Sequence, residues 1–304
     1  MSESTNLPRR KLGKTGFDVS VVGFGAAPVA FLKEEAEKAA NVIEQLLDNG
    51  VNLIDTATGY PGSHAFIGEH LSKRRDDYVL VSKVCNPGDP KSFTPERVTK
   101  DVDNALTQMK TDVIDVMLLH SCPLDVLEAD EALGALVEAR EAGKIRFCGY
   151  SGDNEAAAFA CRLPDIAVVE TSINVADQAN IDKVLPLAQK NDVGIIAKRP
   201  IANAAWRELG EQRGFYQKYA ETYTQRLAKI DLDPGEFGLD WPELALRFTL
   251  SQPGVTTAIV GTTNPDHALP NLTFAANGEL DDAVVNQVRS KFAAAADNSW
   301  TGQT

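Results

Sequence analysis

Asp115-Val116-Met117-Leu118-Leu119-His120 is a run of β-forming, mostly apolar residues that stops on an imidazole. Two more runs end in the same abrupt way. Val51-Asn52-Leu53-Ile54-Asp55 stops on a carboxylate, with Tyr60 five residues further on, and Val79-Leu80-Val81-Ser82-Lys83 stops on an ammonium. Near-continuous apolar runs suit parallel strands, which are covered on both faces. Closing such strands on Asp, Lys and His sets three ionisable groups, and a phenol beside them, at one end of one sheet. That grouping points to an enzyme using acid–base chemistry.

Strand and helix signals alternate outward from these runs, the pattern of a parallel sheet with helical crossovers. Strands are expected at 21–25, 51–55, 79–83, 112–119, 145–151, 166–170, 193–198 and 257–261. Helical patterns lie at 34–49, 63–71, 129–142, 181–191, 241–252 and 281–295, and another opens after Thr94. Thr94 is a good N-cap, Pro95 suits the first helical position, and Glu96 places acid in the first turn. Gly50 stops the first helix as a C′ glycine. Eight βα units predict an α/β fold, a (β/α)₈ TIM barrel, as a single domain over residues 1–304. The open doubly wound sheet fits poorly. In Gly23-Phe24-Gly25-Ala26-Ala27-Pro28 a proline replaces the third glycine of a dinucleotide fingerprint, and no acidic strand end follows about 20 residues later. Residues 9–13 and 17–20 flank Lys14-Thr15-Gly16 as an N-terminal β-hairpin able to plug the lower end of the barrel. The stretch 202–240, with a helical segment at 215–230, breaks the rhythm and is expected as a long loop insertion after strand seven.

The 304 residues are 43% hydrophobic and carry a formal net charge of −13, with a pI near 4.8. An acidic surface disfavours nonspecific binding to nucleic acid or to an anionic membrane. No apolar run approaches the roughly 20 residues that span a bilayer. The opening residues lack the charged-then-apolar pattern of a secretory signal, so a cytoplasmic setting with reduced thiols is expected for Cys85, Cys122, Cys148 and Cys161. The expected partner is a small molecule; oligomeric state leaves no mark on the sequence.

Barrel enzymes place their chemistry at the C-terminal ends of the strands. Asp55, Lys83 and His120 end strands two, three and four, and Tyr60 begins the loop after strand two. A phenol beside an ammonium loses its proton more easily, because the charge stabilises phenolate. Asp55 offsets the desolvation of Lys83 inside a barrel, and His120 can orient a substrate oxygen. A second feature is an anion site. Asn264 is a good N-cap and Pro265 a good first helical residue, so Gly261, Thr262 and Thr263 lead into a helix N-terminus, with Lys198 and Arg199 leaving strand seven beside it.

These residues, together with Leu12-Gly13-Lys14-Thr15-Gly16, Ile54-Asp55-Thr56-Ala57-Thr58-Gly59-Tyr60, Gly143-Lys144-Ile145-Arg146 and Val260-Gly261-Thr262-Thr263-Asn264-Pro265, resemble the aldo-keto reductases from about Arg9 to Ala295. The resemblance implies hydride transfer from a nicotinamide cofactor to an aldehyde or ketone, without a metal. By that likeness Tyr60 is the general acid, Lys83 lowers its pKa, Asp55 is the counter-ion of the lysine, and His120 orients the substrate. The implied cofactor residues are Gly25, Ala26, Ser151, Glu170, Lys198, Arg199, Gly261, Thr262, Thr263, His267 and Asn271. The cofactor expected is NADPH or NADH, with a lean to NADPH.

The chain also departs from the family pattern. Ser151-Gly152-Asp153 stands where Ser-Asn is common, and Glu170 where a glutamine is usual, its carboxylate still able to accept from the nicotinamide amide. Lys198 takes the place of a flat aromatic that stacks on the nicotinamide. A cation there disfavours the oxidised ring, so weaker binding of the oxidised form is expected. His267 replaces an arginine used for the 2′-phosphate. Cys85 and Cys122 are expected to line the substrate pocket and to oxidise under stress; Trp206 and Trp300 are candidates for pocket walls or for plain packing. The alternative function is a nicotinamide-binding sensor or regulatory subunit with little turnover.

Overall fold

Side chains alternate faces along a strand, so a strand inside a barrel needs two apolar partners: the barrel interior and the helices outside. The computed structural model, which describes residues 7–31, 36–85, 88–207 and 215–303, meets that need with two layers. β1 (Arg9–Lys11) and β2 (Asp18–Ser20) form an antiparallel hairpin. The barrel strands are β3 (Val22–Gly25), β4 (Leu53–Asp55), β5 (Val79–Val84), β6 (Ile114–His120), β7 (Ile145–Ser151), β8 (Ile166–Ser172), β9 (Gly194–Lys198) and β10 (Val255–Val260). They pair in parallel in that order, and β10 closes on β3.

The helices are α1 (Ala27–Phe31), α2 (Ala36–Asp48), α3 (Ser63–His70), α4 (Pro95–Met109), α5 (Leu124–Ala129), α6 (Glu131–Glu141), α7 (Asn154–Ala160), α8 (Ala179–Lys183), α9 (Leu185–Lys190), α10 (Phe215–Leu227), α11 (Trp241–Leu250), α12 (Pro265–Ala276) and α13 (Asp282–Ala295). Thr94 caps α4 by accepting from the Arg97 amide at 3.3 Å, and Asn264 caps α12 by accepting from the Asp266 amide at 3.0 Å. Among the described residues, no helix is long and apolar enough to cross a membrane.

Parity along the strands decides which side chains face the interior. Leu53, Val81, Val116, Leu118, Val168 and Ile196 form the inner core, whereas Met117 and Leu119 belong to the outer layer under the helices. Counting two residues at a time from the inner positions gives Asp55, Lys83, His120, Glu170 and Lys198. The inner face thus runs from aliphatic at the bottom to ionisable at the top.

The hairpin plugs the bottom as expected. Leu12 is fully buried in the inner core, Phe17 meets Phe147 edge-on at 5.6 Å, and the Lys14 amide donates to the Asp192 carbonyl at 2.8 Å. Gly194 permits this approach, since a Cβ there would lie 2.8 Å from the Leu12 carbonyl carbon.

Several boundaries differ from expectation. The helix expected at 181–191 is two short helices, α8 and α9, because Pro186 lacks an amide proton and crowds the carbonyl of Asp182. The helix expected at 129–142 is α6, which starts at Glu131 after Asp130, whose φ of 63° is left-handed; α5, before that break, was not expected. α1 was not expected at all. The expected helix start at residue 34 falls outside the described residues, as does 208–214 of the insertion after β9; α10 occupies the expected helical segment but ends at Leu227.

Leu12→Ala should destabilise the chain by about 2–5 kcal/mol, the scale for truncating a buried leucine. Urea unfolding measures it, and a loss near zero would mean the hairpin does not seal the barrel.

Candidate active site

Barrel closure brings the upper ends of β4, β5, β6 and β8 to one small volume. Lys83 is fully buried there. Its Nζ donates to both Asp55 carboxylate oxygens, at 2.5 and 2.6 Å, and to the Thr56 carbonyl at 3.1 Å. Glu170 Oε2 stands 3.1 Å from the same nitrogen. Burial alone would lower the lysine pKa, but Asp55 and then Glu170 outweigh it and raise it, so the ammonium is permanent.

Tyr60 reaches this group from the turn after β4. Lys83 Nζ lies 5.5 Å from the centre of the Tyr60 ring, and the His120 ring meets that ring edge-on with centroids 5.9 Å apart. The segment carrying Tyr60 is fastened at several points. Thr56 and Thr58 amides donate to the Val81 and Lys83 carbonyls, both at 2.9 Å. The Thr56 and Ser63 hydroxyls share a hydrogen bond of 2.7 Å, and His64 Nε2 lies 2.8 Å from Ser82 Oγ. His120 is held neutral: burial first, then the charges of Lys83, Lys198 and Arg199, push its pKa well below the usual value. Its Nδ1 is buried without a hydrogen-bond partner in the structure.

A second cluster sits on β7 and β9. Lys198 Nζ lies 2.9 Å from Asp153 Oδ2. Asp153 Oδ1 accepts from the Ser172 amide at 2.7 Å, the Asn180 amide group at 2.8 Å and the Thr171 hydroxyl at 3.0 Å. Burial raises the Asp153 pKa, but Lys198, Arg199 and these hydrogen bonds together lower it, so the residue stays ionised. Lys198 therefore presents no bare charge to a nicotinamide, and the expected penalty against the oxidised ring loses its basis. Arg199, in a left-handed conformation, donates to Ser172 Oγ at 2.8 Å and to the Gln303 carbonyl.

The third group lies where β3 and β10 adjoin. Gly25 and Gly261 pack so closely that a Cβ on Gly261 would sit 2.6 Å from the Gly25 carbonyl oxygen. The Ala26 amide donates to the Asp55 carbonyl at 2.8 Å, tying this corner to the tetrad. Thr262 Oγ1 accepts from the Asn264 amide at 3.1 Å, shaping the entry into α12. His267 is exposed, while Asn271 is buried and donates to the His267 carbonyl at 2.8 Å.

Ser151 Oγ donates to Glu170 Oε1 at 3.3 Å. Glu170 is thus engaged with Lys83 and Ser151, a contact across the barrel that sequence spacing does not reveal. Asp153 as the counter-ion of Lys198 was also missed; its signal was an acid two residues past Ser151 facing a lysine at the end of the strand two places on. Cys85 and Cys122 are buried, and burial pushes both thiols up to about 12, which makes them poor nucleophiles and removes the expectation that they oxidise readily. Trp206 stacks on Trp241 at 5.5 Å, and Trp300 packs edge-on against Phe292 at 5.4 Å under the Arg226 guanidinium. Both tryptophans are engaged in packing.

The aldo/keto reductase family model matches residues 21–293, and the chain belongs to that family. It is 26% identical over 298 residues to the L-galactose dehydrogenase of Arabidopsis thaliana, covering 93% of this chain and 92% of the relative. Among solved structures, the holo form of the aldo-keto reductase AKR11C1 from Bacillus halodurans superposes with a TM-score of 0.79 at 25% identity, over 97% of this chain and 99% of that one. An aldo-keto reductase from Klebsiella pneumoniae in complex with NADPH shares the fold with a TM-score of 0.75 at 22% identity, over 98% and 99% of the two chains.

His64 sets an acid limit on stability. Burial lowers its pKa to about 4, whereas unfolding returns it to about 6.5. Its stabilisation is therefore complete above pH 6.5 and is lost as the pH falls toward 4. Between pH 7 and pH 5 this one group should remove about 2 kcal/mol. His64→Gln should lose less over that interval by a similar amount in urea unfolding; equal losses in both proteins would refute the assignment.

Proposed function

We propose that the barrel mouth catalyses hydride transfer between NADPH or NADH and an aldehyde or ketone, with Tyr60 donating the proton to the carbonyl oxygen. Family membership supports the reaction class. The observation that carries the residue roles is the Lys83 ammonium, fixed by Asp55 and standing 5.5 Å from the centre of the Tyr60 ring.

The residues at the mouth fit a nicotinamide dinucleotide. Two buried polar atoms, His120 Nδ1 and Glu170 Oε2, make no hydrogen bond of good geometry, so the interior end offers capacity to an incoming polar group. The charge of Arg199 on one side and the positive end of the α12 dipole on the other suit a pyrophosphate. The site accommodates either cofactor; NADPH is favoured because Thr262, Thr263 and Arg199 offer donors to a 2′-phosphate. When bound, the nicotinamide supplies the hydride.

The remaining chemistry belongs to side chains. As negative charge grows on the carbonyl oxygen, the proton on the Tyr60 hydroxyl passes to it and the product leaves as an alcohol. The phenolate that remains is stabilised by Lys83, whose own charge Asp55 maintains in a place where water is excluded. His120, being neutral, binds the substrate oxygen through a hydrogen bond without competing as an acid. Buried Leu and Val side chains beneath keep solvent from the back of the site. The substrate class is a small carbonyl compound.

Tyr60→Phe should lower turnover by roughly 10²–10⁴, the scale for losing a general acid, while fluorescence titration finds the reduced cofactor bound as before. Wild-type turnover in that variant, across a panel of carbonyls assayed with both reduced cofactors, would remove the proposed role.

A further inference from the structure

The turn that carries Tyr60 is closed by side chains as well as by backbone. Thr56 follows the last residue of β4, Ser63 is the first residue of α3, and Tyr60 lies between them. A serine at a helix start commonly occupies the N-cap and accepts from the free amides of the first turn. Here Gly62 takes the cap position, with a left-handed φ of 81°. The Ser63 hydroxyl turns back instead to Thr56 Oγ1, at 2.7 Å, and both residues are fully buried. The Ser63 amide donates to the Tyr60 carbonyl at 3.1 Å.

Thr56 is also bound to the strand that carries the ammonium. Its amide donates to the Val81 carbonyl at 2.9 Å, and its own carbonyl accepts from Lys83 Nζ at 3.1 Å. One residue along α3, His64 Nε2 lies 2.8 Å from the hydroxyl of Ser82, the neighbour of Lys83 in the chain. A continuous path of hydrogen bonds therefore runs from the Tyr60 carbonyl to the Ser63 amide, from the Ser63 hydroxyl to the Thr56 hydroxyl, and from the Thr56 carbonyl to the Lys83 ammonium. Its weakest joint is the single bond between the two hydroxyls, which no backbone pairing duplicates.

We propose that the Thr56 and Ser63 hydroxyls are a positioning clasp that sets the separation of the Tyr60 phenol from the Lys83 ammonium; this rests on the role given to Tyr60 above. Lys83 on β5 stands 5.5 Å from the centre of the Tyr60 ring and is itself met by Asp55 of β4 and Glu170 of β8. His120 of β6 is neutral, under the charges of Lys83, Lys198 and Arg199, and Lys198 is paired with Asp153. His64 of α3 is uncharged at neutral pH, although Asp101 of α4 faces it. Opening the clasp frees the tyrosine turn while Asp55 and Glu170 still hold the lysine. The two groups then separate, the ammonium stabilises the phenolate less, and the phenol becomes a weaker acid.

The test is the double variant Thr56→Val/Ser63→Ala. It removes both hydroxyls, so neither is left buried without a partner, and urea unfolding should find stability close to the wild type. Carbon-13 NMR of protein labelled at the hydroxyl-bearing ring carbon of tyrosine follows the Tyr60 titration without a substrate, its signal identified by its loss in Tyr60→Phe. In the double variant Tyr60 should titrate about one pH unit higher than in the wild type, the lower end of a neighbouring-charge effect. Single-turnover hydride transfer from NADPH to the carbonyl that the wild type reduces fastest should slow by about tenfold, with affinity for NADPH unchanged. Thr56→Ser, which keeps the hydroxyl, should match the wild type in both. A wild-type titration in the double variant overturns the clasp whatever happens to stability. An equal shift in Thr56→Ser assigns the effect to the lost methyl group and overturns it too. Lys83→Met is the reference: if it leaves the Tyr60 titration in place, the clasp falls together with the role of Lys83. If Lys83→Met moves the titration and the double variant does not, the clasp alone falls.

Discussion

A buried ammonium is tolerable only where anions meet it at close range, and Lys83 is fully buried with carboxylates at 2.5 and 3.1 Å. The fold has to bring Asp55 from β4 and Glu170 from β8 to a lysine on β5. A closed barrel does this because its interior is narrow and because parity sets alternate side chains inward. The aliphatic layers below, sealed by Leu12, keep the dielectric low, so each charge at the mouth acts strongly on its neighbours. Removing one member of such a group strands the others and typically costs about 3–5 kcal/mol. The same low dielectric lets a lysine act on a phenol and hold an imidazole neutral.

Two acids stand beside the lysines of the mouth: Asp153 neutralises Lys198, and Glu170 faces Lys83. They differ in kind. Asp153 is held by three hydrogen bonds and an ammonium, which fixes it as an anion. Glu170 receives a hydroxyl at 3.3 Å and stands 3.1 Å from a lysine already engaged by Asp55, so it is held by fewer contacts. One acid is locked into support of its cation; the other is the looser partner of a lysine that Asp55 holds first.

Much of this was legible in the sequence. Strands ending in Asp55, Lys83 and His120 could be placed because an apolar run cut off by a charge marks the end of a buried strand. Adjacent strands then had to present those charges together. The hairpin plug and the caps at Thr94 and Asn264 were legible for local reasons, since turn and cap chemistry is written within a few residues. Contacts across the barrel were not. β5 and β8 are not neighbours in the sheet, so nothing in the spacing of Lys83 and Glu170 records their meeting. The hold of the Gln303 carbonyl on Arg199 spans 104 positions and leaves no periodic trace. The break at Pro186 was readable from proline chemistry, yet the helical pattern around it masked it. Cys85 and Cys122 were expected to line the substrate pocket, but both are buried in the outer layer, and burial, which no spacing discloses, pushes their thiols up.

The central claim is that the buried ammonium enables the phenol to deliver its proton. Single-turnover hydride transfer in Lys83→Met, followed by loss of nicotinamide absorbance after mixing preformed enzyme–cofactor complex with a carbonyl substrate, tests it most directly. The account predicts a transfer rate lower by roughly 10² or more, with the affinity for reduced cofactor little changed. A transfer rate equal to that of the wild type would contradict it.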